Sequence, residues 1–264
     1  MKARTRLAVV LSDLHVGSTV GLWPDKFKAN EGFEIGQNDF QKQLWTLWNQ
    51  NLKWIEKVVG KDEFEIIING DMVEGIHHRT LQVMSPDVAD QSVAVLAVLG
   101  GLAEKAKAIY LTKGTECHTR NDELRIGREL KAVKDPTTGH HAWDRLELEF
   151  GKVTFTAAHH CSATSRHWLE SGEFSRFMAS EIGERARCRK LVPQIIARAH
   201  RHVPGVFNDG VSIGVVTGGW QGLTRHGNKV VPYAVPRPSC VILDFRNSAS
   251  DELPTVHQKV FVTE

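Results

Sequence analysis

The sequence predicts an α/β protein of the mixed α+β kind, with two mixed β-sheets covered by helices. Two observations predict it. In the first half, short apolar runs alternate with segments of helical period; in the second, residues of strand period turn back on themselves as hairpins. The 264 residues are 41% hydrophobic and 24% charged, the balance of an ordinary globular chain able to bury a full core.

Leu7 to Leu11 is a continuous apolar run ending at Ser12-Asp13, as in a strand buried on both faces. Leu44, Trp48, Leu52, Ile55 and Val59 recur at spacings of three and four, predicting a helix started by Asp39 and stopped by Gly60. Phe64 to Asn69 is a second strand, Asp87 opens a helix to about Lys107, and Ala108 to Leu111 is a third strand. Asp122 to Val133 has the composition of a short charged helix. From Trp143 the period changes. Leu146, Leu148 and Phe150 alternate with polar residues, Gly151 turns the chain, and Val153 to Ala157 returns. A long helix from about Ser165 to Lys190 precedes a strand at Ile195 to Ala197. Val203 to Phe207 and Val211 to Val216 flank the hairpin turn Asn208-Asp209-Gly210, and strands at Val241 to Leu243 and Val256 to Val262 follow. Residues 17–37 and 72–87 are the longest irregular stretches, and such loops carry function or cover a site.

No stretch approaches the roughly 18 apolar residues of a membrane span, and the run after Arg6 is too short for a signal-peptide core. Cys117, Cys161, Cys188 and Cys240 are scattered without a C-x-x-C pair, which reads as reduced thiols and a cytoplasmic setting. A net charge of +2 is too small to imply a polyanion partner. Histidine is the informative residue: 13 are present, clustered as His77-His78, His140-His141, His159-His160 and His200-Arg201-His202.

Five motifs directly follow apolar strands, where open α/β sheets place their ligand sites. They are Asp13-Leu14-His15, Gly70-Asp71, Gly114-Thr115-Glu116-Cys117-His118, His159-His160 and His200-Arg201-His202. Each is weak alone, and Asp13 and Asp71 could serve simply as helix caps. Together they make a metal cage, because carboxylate with imidazole suits Mn, Fe, Zn or Ni. Asp13 and His15, two apart beyond a strand end, can turn toward one ion, and Asp71 has two oxygens to share between ions. Two ions about 3.5–4 Å apart can hold a hydroxide and clamp phosphoryl oxygens for in-line attack.

In this order the motifs resemble those of the calcineurin-like metallophosphoesterases: D-x-H, then G-D, then G-N-H-D/E, a lone His, and G-H-x-H, here with Ala199 for the last Gly. The resemblance covers residues 7 to about 216. It implies a four-layer αββα sandwich, a single metallophosphoesterase domain over 1–264, and phosphoester hydrolysis with two divalent ions, manganese foremost. It implies Asp13, His15, Asp71 and His202 for one metal, and Asp71, His200 and His159 for the other, with His160 as the alternative to His159. The third motif departs from the family's, since no Asn follows Gly114 and the His arrives two residues late. His118 is then the expected proton donor to the leaving oxygen, or a grip on the phosphate. Thr115 or Glu116 takes the place of the missing Asn.

His78 and Arg201 are the expected substrate contacts, the first for its nearness to Asp71, the second as part of a basic run with Arg185, Arg187, Arg189, Lys190 and Arg198. That run reads either as a solvated helix face or as a rim that draws in phosphate or nucleic acid. Nucleic acid or nucleotide is the leading substrate class, with a protein or small-molecule phosphatase as the alternative. A metal-free scaffold competes, favoured only by the altered third motif. Cys117 and Cys161 read as packing residues before soft ligands.

Overall fold

The computed structural model describes residues 6–77, 81–119, 122–161, 170–230 and 235–262. The first half runs β1 (Leu7–Leu11), α1 (Asp39–Val59), β2 (Glu65–Asn69), α2 (Val88–Ala103), β3 (Ala108–Thr112), α3 (Glu116–Thr119) and α4 (Asp122–Glu129). The second runs β4 (Leu146–Phe150), β5 (Val153–Ala157), α5 (Glu170–Arg187), β6 (Ile195–Arg198), β7 (Gly205–Asn208), β8 (Ile213–Val216), α6 (Arg225–Val230), β9 (Ser239–Asp244) and β10 (Thr255–Val260).

The strands form two five-stranded mixed sheets, ordered β10-β9-β1-β2-β3 and β4-β5-β6-β8-β7. The parallel pairs are β1 with β2, β2 with β3, β5 with β6, and β6 with β8; the other pairings are antiparallel. The period of two in each strand sorts the core into layers. In the first sheet Leu7, Val9, Leu11, Ile66, Ile68, Ile109 and Leu111 pack with Leu44, Trp48 and Ile55 of α1 and Val95, Val98 and Leu99 of α2. Ala8, Val10, Ile67, Tyr110, Val241 and Leu243 point the other way, against Leu146, Leu148, Phe155, Ile195, Ala197 and Val215 of the second sheet. On that sheet's far face, Ile196 and Val216 pack with Phe174 and Met178 of α5. The order of layers is α-β-β-α, as expected.

The helix at Leu44 starts at Asp39, but its cap is Asn38. The Asn38 side chain accepts the Gln41 backbone N–H and Gln41 returns the contact to the Asn38 N–H, a reciprocal capping box. The helix expected to reach Lys107 ends at Ala103, because the Lys107 N–H is committed to the Phe64 carbonyl beside β2. The helix expected to reach Val133 ends at Glu129. Lys131 adopts a left-handed φ of 52°, and the Val133 N–H joins the Ile109 carbonyl. The expected start of α5, about Ser165, lies outside the described residues. The short helices α3 and α6 have no counterpart in the sequence reading. No helix among the described residues is long and apolar enough to cross a membrane.

β9 and β10 belong to the first sheet, so the end of the chain returns to cover the free edge of β1. Arg246 locks this return. Its guanidinium donates to Asp244, to the Val58 and Val59 carbonyls at the end of α1, and to Asp62. The Arg246 contacts hold the Asp244 carboxyl down at about 2, against its ordinary 3.8. Asp244→Asn should therefore lower the unfolding free energy by about 1 kcal/mol at neutral pH, a figure discounted for the partly exposed pair. A depressed folded pKa gives stability that is present above the unfolded value and lost as pH falls. Urea titrations should accordingly show the wild-type advantage disappearing between about 3.8 and about 2.

Candidate metal centre

The carboxyl ends of the parallel strands in the two sheets meet. His159, two residues beyond β5, donates from Nδ1 to the Asn69 carbonyl at the end of β2 (2.8 Å), and the Asn69 amide donates to the Ala158 carbonyl (3.1 Å). This turns His159 Nε2 toward Asp71 Oδ2 at 3.0 Å and Asp13 Oδ1 at 3.8 Å. Asp13 Oδ1 also lies 3.4 Å from His202 Nε2 and 3.9 Å from His15 Nε2, and the last two nitrogens are 3.0 Å apart. Asp71 Oδ2 is 4.0 Å from His15 Nε2. The His200 backbone N–H donates to Asp13 Oδ2, and its Nδ1 lies 3.2 Å from Thr115 Oγ1.

Such spacings suit a shared ion, since ligands about 2.0–2.2 Å from a metal stand about 3–4 Å from one another. Groups whose ligand atoms all lie within 4.8 Å of one another include Asp13 with His15 and His202, Asp13 with Asp71 and His159, and His159 with His160 and His200. Asp13 Oδ1 and His159 Nε2 are buried with no hydrogen-bond partner. An orphaned buried carboxylate oxygen and imidazole nitrogen facing one another are costly unless a cation or proton lies between them. The residues present fit divalent ions.

The backbone bends to achieve this. Asp13 (φ 50°), His15 (43°), Asp71 (49°), His200 (72°) and His202 (56°) are all left-handed, and among the described residues only Lys131 and Arg189 are otherwise so among non-glycines. Each costs about 1–2 kcal/mol, and such strain concentrates at functional sites. Glycines give the room. A Cβ on Gly114 would stand 2.1 Å from Asp71 Oδ1, and one on Gly70 2.5 Å from His159 Nδ1.

Burial pushes the Asp13 carboxyl up, but the charge of His159 and the contact with His202 outweigh it and hold it at about 2. Burial likewise acts on Asp71, and His159 holds it well below the usual carboxylate range. Burial alone would lower His159; Asp71 and Asp13 instead raise it to about 10. Burial and the charge of His15 push His118 down to about 4.

A residue the sequence did not single out organises the other side of the site. Glu74, buried three residues after Asp71, accepts from His15 Nδ1 (2.9 Å), His77 Nε2 (3.0 Å) and the Gln221 amide (2.6 Å), while its carbonyl accepts from His118 Nδ1 (2.8 Å). Its only signal in the sequence is nearness to Asp71. Of the two candidates for the missing Asn, Thr115 is the one at the cluster: its N–H and hydroxyl donate to Asp71 at 2.6 and 3.1 Å. Glu116 is exposed on the first turn of α3 and belongs to none of the described ligand groups. His160 is exposed, with its ring 4.8 Å from that of His200. His78 lies outside the described residues, and Arg201 is half-buried. Trp220 is core, edge-on to Trp48, and its backbone N–H donates to the Asp13 carbonyl at 2.8 Å.

Part of the basic run is paired with acids. Arg198 is buried and paired with Glu181, Arg185 pairs with Glu147 and Glu181, and Arg187 with Glu184. A cavity of about 350 Å³ adjoins the centre, lined by Lys113, Gly114, Arg145, His159, His160 and Phe177 among others. A larger hollow of about 820 Å³ runs along α5 and contains none of the cluster residues.

No protein-family model and no curated protein matches the sequence. Similar solved structures include an archaeal phosphodiesterase, 12% identical over 97% of this chain and 99% of that one, with a TM-score of 0.46. Vps29 from Entamoeba histolytica, complexed with zinc, is 10% identical over 97% and 99%, with a TM-score of 0.42. A hypothetical protein from Pyrococcus horikoshii is 8% identical over 98% and 88%, with a TM-score of 0.46. These are likenesses only.

The tight seat of Asp71 makes a direct prediction. Gly114→Ala should cost about 1–3 kcal/mol of stability, the range for forcing extra volume into a packed site. Chemical denaturation at neutral pH reads that loss, and an unchanged midpoint would show that Asp71 has room to move.

Proposed function

We propose that the chain is a metal-dependent phosphoesterase that holds two divalent ions, in the manner of the calcineurin-like metallophosphoesterases it resembles. The observation that carries this reading is the convergence of Asp13, His15, Asp71, His159 and His202 on one point, with Asp13 Oδ1 and His159 Nε2 both buried there. Asp13, His15 and His202 would hold one ion, and His159 and His200 the other. Asp71, whose carboxylate has two oxygens, would be shared between them, and the Thr115 N–H and hydroxyl hold it in place. Such ions supply Lewis acidity toward the phosphoryl oxygens and activate water.

The remaining work falls to the chain's own side chains. Glu74 orients His15 through Nδ1 and so presents Nε2 to the ligand cluster. His118 donates from Nδ1 to the Glu74 carbonyl, which leaves Nε2 to meet the leaving oxygen. It can give up a proton there only as the imidazolium. Its ordinary state beside His15 is neutral, with a pKa of about 4, and the negative charge of a phosphodiester brought against it is the opposite charge that raises this value. The adjoining cavity is of a size for a small phosphodiester. The pairing of Arg185, Arg187 and Arg198 with acids favours a nucleotide-sized substrate over a nucleic-acid polymer. Manganese is the expected ion.

Metal content by mass spectrometry and hydrolysis of bis-p-nitrophenyl phosphate with added Mn²⁺ test the reading together. The expected result is near two ions per chain, with activity lost in Asp71→Asn. His118→Asn should keep its metal and lose about 10²-fold or more in turnover. Folded protein with neither metal nor activity would sink the proposal. Because an ion must expel the proton that His159 holds up to about 10, metal affinity should rise with pH, as isothermal titration at several pH values would show.

A further inference from the structure

Beside the Asp71 cluster lies a second group of donors of different chemistry. His77, in the segment after β2, and Cys117 and His118, on α3, are all half-buried, and each offers a ligand atom within 4.8 Å of the others'. The two imidazole rings stand edge to face with centroids 4.1 Å apart. Both are already aimed by one residue: the Glu74 carboxylate takes His77 Nε2 at 3.0 Å, and the Glu74 carbonyl takes His118 Nδ1 at 2.8 Å. Contacts of this kind fix ring orientation around bound metals. The two segments are also pressed together without slack, since a Cβ on Gly75 would stand 2.2 Å from the His118 carbonyl oxygen. The residues that delay His118 after Gly114 thus bring a thiol to its side.

We infer that His77, Cys117 and His118 form a third metal site, which takes a thiolate-seeking divalent ion such as zinc and thereby withdraws His118 from the reaction. One thiolate with two imidazoles is a zinc and cobalt donor set. The neighbouring cluster of carboxylates and imidazoles is compatible with manganese. The two sites therefore sort ions by softness, and an excess of zinc switches off a protein that manganese switches on. The metal site stands on geometry alone. Its inhibitory effect rests on the role proposed above for His118.

Titrating the full-length protein with Co²⁺ tests the site without any assay of activity. The expected result is a thiolate-to-cobalt charge-transfer band that is absent in both Cys117→Ser and Cys117→Ala. His77→Ala should raise the cobalt needed for the band by about tenfold or more. A missing band in the wild type, or one that survives in both Cys117 variants and so comes from Cys161, Cys188 or Cys240, would overturn the site. The inhibitory effect is read separately, as zinc inhibition of bis-p-nitrophenyl phosphate hydrolysis in Mn²⁺. Cys117→Ser should raise the zinc concentration for half-inhibition by about tenfold or more. Equal inhibition of both proteins, with the cobalt band present, would keep the site and overturn its effect on His118.

Discussion

One hydrogen bond, from His159 Nδ1 to the Asn69 carbonyl, joins the two sheets where their strand ends meet. Because a carbonyl only accepts, the proton on Nδ1 is fixed, and Nε2 is left to face Asp71 and Asp13. Asn69 extends the tie in both directions: its side chain accepts the Thr112 hydroxyl from β3 and donates to Ala158 after β5. The relative position of the two sheets and the aim of one imidazole are set by the same few atoms. A slip of either sheet would scatter the ligand cluster, and a loss of the cluster's geometry would loosen the sheets.

The cluster is expensive in isolation. Three carboxylates, Asp13, Asp71 and Glu74, lie buried, and four of the histidines around them sit at or near the same point. Each carboxylate is held ionised by neighbouring imidazoles, so that no member can be removed without leaving another charge unpaired. The left-handed backbone at five of these residues adds strain on top of the electrostatic cost. The three apolar layers of the sandwich offset both, and the glycines at 70 and 114 keep the space into which the carboxylate and imidazole fit.

Much of this was legible in the residues alone. Buried strands such as Leu7 to Leu11 declare themselves by unbroken apolar character, and the hairpin at Gly151 by its period of two. The motifs at strand ends were legible because parallel strands must deliver their carboxyl ends to the same edge. What was not legible depends on contacts between distant segments. Glu74 acquires its meaning from His15, His77, His118 and Gln221, which no local spacing brings together. Arg198 looked like part of a basic surface, yet it is buried against Glu181 and Phe177. The choice between Thr115 and Glu116 turns on where α3 begins, and four residues carry too little periodicity to announce a helix.

The return of β9 to the edge of β1 has a consequence for how the molecule comes into being. β1 carries Asp13 and His15 at its end, and one of its two partners, β9, is made more than two hundred residues later (Leu7 opposite Asp244). A chain emerging from the ribosome can pair β1 with β2 early, but the opposite edge of β1 stays open until residues 239–244 are synthesised. Contacts of such sequence separation slow folding and leave an apolar strand edge exposed in the interim. The segment that carries Asp13 and His15 therefore follows a strand whose second edge is covered only once β9 has been made.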